Sequence, residues 1–279
     1  GENSLTSATI HWSVNNTPQS DYSWTGSLLY NESDTITLAN YTFETDNTYS
    51  IVASVETEND NVSSNDTAQI NVKVKPAVTL PYANGFEDAV NPINDWLVKD
   101  VDGDGFTWEI GDVSPKFGLK YIRSASYDDN TSEALTPDNW LITPGIYLAH
   151  SKAYLSYYVG ASDDDYFAEN YSVLISETGT DTADFATVLH TETLTEKAYK
   201  QVTLELDGYQ GKTVFIAFRH FNCTNNYYLN IDSVSLYYPT VYTVSLSASP
   251  IEGGTVSDDV EFIDGESVTV TATANSGYA

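Results

Sequence analysis

Leu80-Pro81-Tyr82-Ala83-Asn84-Gly85-Phe86-Glu87 opens, and Leu229-Asn230-Ile231-Asp232-Ser233-Val234 closes, the stretch that decides how this 279-residue chain is read. Between them stand Asp100-Val101-Asp102-Gly103-Asp104-Gly105, followed by Trp108, and Phe218-Arg219-His220-Phe221-Asn222-Cys223-Thr224. Oxygen-rich loops at both ends of a strand-rich segment imply that the two ends meet, around a hard cation. The runs 140–143, 153–159, 171–175, 200–206, 213–219 and 228–236 have the length and the β-branched and aromatic content of strands. About 160 residues of such strands, half of each facing inward, predict a two-sheet jelly roll. One short helix is expected at 182–189, with Asp181 as its cap.

The flanks read differently. Residues 1–76 carry short strands at 8–14, 34–38, 49–55 and 68–74, separated by the polar turns Asn15-Asn16-Thr17-Pro18 and Asn59-Asp60-Asn61. That spacing predicts an immunoglobulin-like or fibronectin-like β-sandwich. Ile10, Trp12 and Val14 share one strand face, which makes Trp12 the expected core anchor and puts His11 on the surface. Pro76 closes this module, because proline cannot donate to a central ladder. In residues 239–279, runs 242–248, 253–256 and 267–272 are punctuated by Pro250, Gly265 and Gly277, a strand–turn–strand–turn–strand pattern. The expected organisation is therefore 1–76, 77–238 and 239–279, an all-β chain.

Composition narrows the function classes. Lys plus Arg number 11 against 40 Asp plus Glu, a formal net charge of −29. Such a field repels nucleic acid and anionic lipid, so neither is an expected partner. With 41% apolar residues and 21 Tyr, the acidity reads as a solvated surface over packed sheets rather than as disorder. Cys223 is the single cysteine, which rules out an intrachain disulfide. No run approaches about 18 apolar residues, the length of a membrane-spanning helix. Methionine is absent even at position 1, so the chain is expected to be a processed or excised piece, in which a missing leader carries no information. Abundant Tyr, Thr, Ser, Asn and Asp with few Lys suit an extracellular setting.

Asp100, Asp102 and Asp104, at alternate positions with interleaved glycines, can turn several carboxylates onto one Ca²⁺, which takes 6–8 hard oxygens. An EF-hand would need Glu where Gly111 stands and helices on either side, so that geometry is excluded. Spacing alone leaves calcium and an ordinary Asp-Gly hairpin turn both open. Asp163-Asp164-Asp165 with Glu169 forms a second acidic group, read as a solvated loop, a further cation site or a sugar-contacting loop. Tyr127, Tyr166, Phe167, Tyr227 and Tyr228 fall in or near predicted loops, where rings could stack on sugars. No catalytic set is expected. His220 and Cys223 are three apart, which in a strand puts them on opposite faces, and the 4 His show no zinc spacing.

The stretch 80–238 resembles the cleaved adhesin domain of gingipains and haemagglutinins. The resemblance is carried in order by Phe86-Glu87, by 100–105 with Trp108, by Pro137-Asp138-Asn139-Trp140-Leu141-Ile142-Thr143-Pro144, by 168–173, and by 217–224 followed by Asn230-Ile231-Asp232. That family is related to MAM-type jelly rolls. The resemblance implies structural Ca²⁺, with Glu87, Asp100, Asp102, Asp104 and Asp232 as the expected ligands. From the acidic loop and the loop aromatics, Asp163, Asp165, Glu169, Tyr127, Tyr166 and Tyr227 are the expected ligand-contacting residues. Residues 10–15, 22–26 and 41–43 resemble immunoglobulin-like modules beside such adhesins in secreted Bacteroidetes proteins, and 239–279 resembles the start of a divergent internalin-type repeat. Together these imply a non-enzymatic, monomeric binding module of a secreted or surface protein, recognising glycan or a host protein. The alternative is a spacer array that displays an enzyme or anchor.

Overall fold

The computed structural model describes all residues except 1–3, 45, 46, 59, 61, 91, 94, 264, 265 and 279. Asn59 and Asn61 of the expected turn, and Gly265, therefore lie outside the described residues. Two compact units emerge, Gly1–Pro76 and Ala77–Ala279.

In the first unit Leu5–Val14 pairs antiparallel with Thr48–Glu56 on one side and with Tyr22–Leu28 and Thr17–Pro18 on the other, and Thr67–Lys73 extends the sheet beyond Thr48–Glu56. Asn15 and Asn16 both adopt left-handed φ, 48° and 63°, as a two-residue hairpin requires. The core anchor is Trp24, not Trp12. Trp24 is 8% exposed, packs with Ala8 and Ile10, and donates its indole N–H to Asp34 Oδ2 at 2.7 Å. Trp12 stays half-buried and donates instead to the Ser20 carbonyl. The strand expected at 34–38 is not formed. Ile36 and Leu38 pack on the Trp24 cluster from an irregular run, so among the described residues the first unit has one sheet and not the two of a sandwich.

The second unit is built on two larger, mainly antiparallel sheets. One runs Lys200–Leu206, Ala153–Ala161, Tyr228–Tyr237, Tyr121–Ala125, Glu109–Gly111, with Tyr82–Asn84 also on Tyr228–Tyr237. The other runs Thr187–Thr193, Asn170–Ser176, Lys212–Phe221, Asp138–Ile142, Leu97–Asp100; Ile146–Leu148 joins Lys212–Phe221, and the short Val78–Thr79 pairs in parallel with Ile146–Leu148. Their inner faces supply one apolar core around Phe86, Trp108, Tyr157, Phe218 and Ile231. Tyr157 lies edge-on to Phe218 at 5.0 Å and shares a buried hydroxyl–hydroxyl contact with Tyr171. The ends of the segment do meet, through a ladder: Asn84, Ala83 and Tyr82 face Val234, Ser235 and Leu236.

The helix expected at 182–189 shrinks to one 3-10 turn, Thr182–Asp184, in which the Asp184 carboxylate accepts the Asp181 amide. Residues from Thr187 onward pair as a strand with Asn170–Ser176, and their alternation of Thr with larger side chains suits a pleated surface better than a helix. In the last segment Val241–Val244 pairs with Val260–Ile263, and Gly254–Val256 with Ala272–Ala274. The third strand thus falls at the end of the expected 267–272 run.

Arg219 ties two of the sequence motifs together. Its Nε and one terminal nitrogen meet the two oxygens of Asp138 at 2.6 and 2.8 Å, and its guanidinium stacks between Trp140 and Phe221. Burial pushes the Asp138 carboxyl up, but the hydrogen bond and charge of Arg219 outweigh it and hold the group below its ordinary 3.8. The stabilisation is therefore present above pH 3.8 and disappears as pH falls through the lower folded value. Arg219→Lys keeps the charge but loses the fork and the stack, so urea unfolding at neutral pH should show a loss of about 1–3 kcal/mol. That deficit should shrink in acid.

Candidate functional site

A pocket of about 440 Å³ opens among the loops at one end of the second unit, lined by Tyr127, Asp129, Asp163, Tyr166, Asn225, Asn226 and Tyr227. Local hydrogen bonds build it. Asp163 Oδ1 accepts the amides of Asp165 and Tyr166 at 2.8 and 2.9 Å, which turns the loop, presents Tyr166 and holds the Asp163 carboxyl below its ordinary pKa. Asn226 Nδ2 donates to the Ala168 carbonyl, and Ser126 exchanges backbone bonds with Asn225 and Tyr227. The Tyr227 hydroxyl donates to Asp129, and this hydrogen bond, then burial, pushes the phenol up to about 12.

Four of the six residues expected to contact ligand thus line one pocket: Tyr127, Asp163, Tyr166 and Tyr227. Asp165 does not line it. Glu169 is a correction: it is not on a solvated loop but fully buried, 0% exposed, behind the pocket wall. Its Oε1 accepts Ser126 Oγ and the Tyr227 amide, each at 2.9 Å. Sequence reasoning missed Asp129, Asn225 and Asn226. Their signal was the polar turn residues flanking Tyr127 and Tyr227.

His220 and Cys223 require a second correction, because the structure brings them together at 3.1 Å between Nε2 and Sγ. The strand ends at Phe221, and Asn222 takes a left-handed φ of 53°, so strand alternation no longer governs Cys223. Glu169 Oε2 meets His220 Nε2 at 3.0 Å and Cys223 Sγ at 3.4 Å. The other imidazole nitrogen meets Ser124 Oγ at 2.9 Å. Burial, reinforced by the Glu169 carboxylate, pushes the thiol pKa up, which keeps Cys223 mostly protonated and slow as a nucleophile.

The five residues expected around one cation are divided. Asp100, Asp102 and Asp104 do cluster, with carboxylate oxygens within 4.8 Å of one another. Asp100 already accepts the amides of Gly103 and Gly105, of which the Gly105 bond does most to lower its pKa. Asp102 is shifted upward by burial and by its hydrogen bond with Asp100. Glu87 and Asp232 are not in that group. They hold a different loop, 112–120, by its backbone. Glu87 Oε1 accepts the amides of Leu119 and Lys120, and Asp232 Oδ2 those of Lys116 and Phe117, all at 2.9–3.0 Å. Phe86, fully buried with φ 62°, turns the chain so that Glu87 is exposed rather than buried between strands. Gly118 has φ 65°, and a Cβ there would collide with the Glu87 carboxylate. Asp232 is 0% exposed, on the outer face of its strand opposite Ile231, and burial raises its pKa despite the two amides.

Two facing antiparallel sheets with a polar, aromatic pocket among their end loops define a β-sandwich binding module. The sequence profile of the cleaved adhesin domain matches residues 79–236, and that of the divergent InlB B-repeat domain matches residues 244–279. Gingipain R1 of Porphyromonas gingivalis is 32% identical over 175 residues, covering 57% of this chain and 10% of its own length. Hemagglutinin A of the same organism is 33% identical over 180 residues, 57% of this chain and 8% of its own length. A cleaved adhesin domain of Lys-gingipain, in its crystal structure, is 31% identical with a TM-score of 0.51, covering 57% of this chain and 98% of that one. The chain belongs to the cleaved adhesin family. It spans about a tenth of the length of the curated relatives it matches.

Asp232→Ala strands the Lys116 and Phe117 amides and should lower stability by roughly 2–4 kcal/mol. The same loss is expected in calcium and in chelator, because the acceptor role needs no ion. The raised Tyr227 phenol adds stability below pH 10 that is lost as pH climbs towards about 12. In a spectrophotometric tyrosine titration, Tyr227→Phe should remove one phenol titrating at about 12.

Proposed function

We propose that the loop-end pocket binds a neutral glycan and that the chain serves as an adhesive module of a secreted or surface-displayed bacterial protein. The observation that carries this reading is the convergence of Tyr127, Tyr166 and Tyr227 with Asp129, Asp163, Asn225 and Asn226 around one concave site. Ring faces suit the C–H faces of sugars, and carboxylates and amides suit their hydroxyls. No lysine or arginine lines the pocket, so anionic ligands find no counter-charge there. Family membership supports an adhesive role. Nothing in this reading calls for catalysis.

We further propose that Ca²⁺ is held at the Asp100–Asp104 loop. Asp102 and Asp104 are the leading ligands there, since both Asp100 oxygens already serve Gly103 and Gly105. Backbone carbonyls and water would complete a shell of 6–8 oxygens. The role is structural, adding binding free energy to folding.

Calorimetric titration of a neutral oligosaccharide panel is the test of the pocket. Tyr166→Ala and Tyr227→Ala should each weaken binding about two- to tenfold, from about 0.5–1.5 kcal/mol per aromatic contact. Binding to a host protein that ignores both substitutions, with no glycan bound, would overturn the glycan reading. For calcium, the melting temperature should rise with the ion and fall with chelator, and Asp102→Asn should remove the difference. Identical melting in both conditions would leave the 100–105 loop as a turn.

A further inference from the structure

Glu169, His220 and Cys223 are the second group of metal-capable side chains among the described residues, and pocket and calcium leave it unused. Their donor atoms form a triangle with edges of 3.0 Å from Nε2 to Oε2, 3.1 Å from Nε2 to Sγ and 3.4 Å from Sγ to Oε2. Nε2 and Sγ carry at most one hydrogen each, so His220 and Cys223 bring no more than two hydrogens to these three contacts. Imidazole nitrogen, sulfur and carboxylate oxygen are the donors Zn²⁺ takes, at about 2.0–2.3 Å. Tetrahedral geometry at those lengths separates donors by about 3.4–3.6 Å, so the triangle has to open by only a few tenths of an ångström.

The surroundings already supply what a bound metal asks of its outer contacts. His220 Nδ1 meets Ser124 Oγ, which accepts from Asn139 Nδ2 at 3.1 Å. Glu169 Oε1 is held by Ser126 Oγ and the Tyr227 amide, which orients Oε2 towards the triangle. Ser124, Ser126, Asn139 and His220 are all fully buried, so these orientations are fixed by packing.

We infer that Glu169, His220 and Cys223 bind a borderline-soft transition-metal ion of the Zn²⁺ type behind the pocket wall, in a three-donor site whose fourth position takes water. A hard ion such as Ca²⁺ is unsuited, because it takes oxygen donors only. On binding, the thiol proton leaves to solvent and the imidazole hydrogen moves to Nδ1, where Ser124 Oγ accepts it. The ion ties the ends of Lys212–Phe221 and Asn170–Ser176 to the 222–227 corner, and through Glu169 to Tyr227 of the pocket.

The single cysteine makes the test specific, since any thiolate–metal signal reports Cys223 alone. The full chain is titrated with Co²⁺ in excess Ca²⁺, which occupies carboxylate-only sites, and read in the near ultraviolet for thiolate-to-cobalt charge transfer. One such cobalt per chain is expected, displaced by Zn²⁺, absent in Cys223→Ser, and bound about 10–100-fold more weakly in Ser124→Ala. Alkylation of Cys223 in the wild-type protein is the second readout and needs no variant to fold: Zn²⁺ should slow it and chelator restore it. Absence of the charge-transfer band together with an alkylation rate indifferent to Zn²⁺ overturns the inference. Glycan titration of the same samples reads the pocket separately, so either reading can fail alone.

Discussion

Glu169 has no solvent contact, and a buried carboxylate is tolerated where hydrogens reach it from several sides. Here they come from Ser126, the Tyr227 amide, His220 and Cys223. Two of those four, Cys223 and Tyr227, belong to the passage from Lys212–Phe221 in one sheet to Tyr228–Tyr237 in the other, and His220 stands just before it. The crossing between sheets is thus shaped around one buried carboxyl group. The same crossing carries Asn225, Asn226 and Tyr227 into the pocket, so the position of the pocket follows from the need to satisfy that group.

A similar logic sets the loop over the outer face of the sheet. Glu87 and Asp232 each capture two consecutive backbone amides of residues 116–120, so four donors of an irregular segment find acceptors. One carboxylate comes from each end of the domain. Acidic side chains here replace the strand partner that the 112–120 loop lacks. The chain's large negative charge is therefore partly internal architecture, in addition to its solvated surface.

The strands of the second unit were legible because they are long, apolar and β-branched: 200–206 was read residue for residue, and 138–142 and 228–237 within two residues. Periodicity failed where the chain leaves regular geometry. The reading of His220 and Cys223 as opposed assumed a strand through Asn222, whose left-handed φ breaks it. Asp181 marked a helix start correctly as a turn, but the β-branched residues after Thr187 found partners in Asn170–Ser176 that no local window contains. Trp12 and Trp24 were indistinguishable by alternation alone, and a long-range partner, Asp34, decided between them. The pocket was half legible: aromatic residues in loops stood out, whereas Asp129, Asn225 and Asn226 looked like ordinary turn residues. Of the five-residue cation set, the structure groups Asp100, Asp102 and Asp104, while Glu87 and Asp232 serve the 112–120 loop, because nearness of chain ends does not make nearness of side chains.

The ladder joining Tyr82–Asn84 to Val234–Leu236 has a mechanical consequence. The two strands are antiparallel neighbours, so the chain comes in and goes out at the same end of that ladder. Tension along the backbone would first load the short Val78–Thr79 pairing and then peel the ladder one residue pair at a time. Its bonds would not be sheared together. A module tethered in flow through these two points gives way first at its attachment strands. The 222–227 crossing and the pocket beside it lie outside that line of force, so the edge can yield while the pocket keeps its shape.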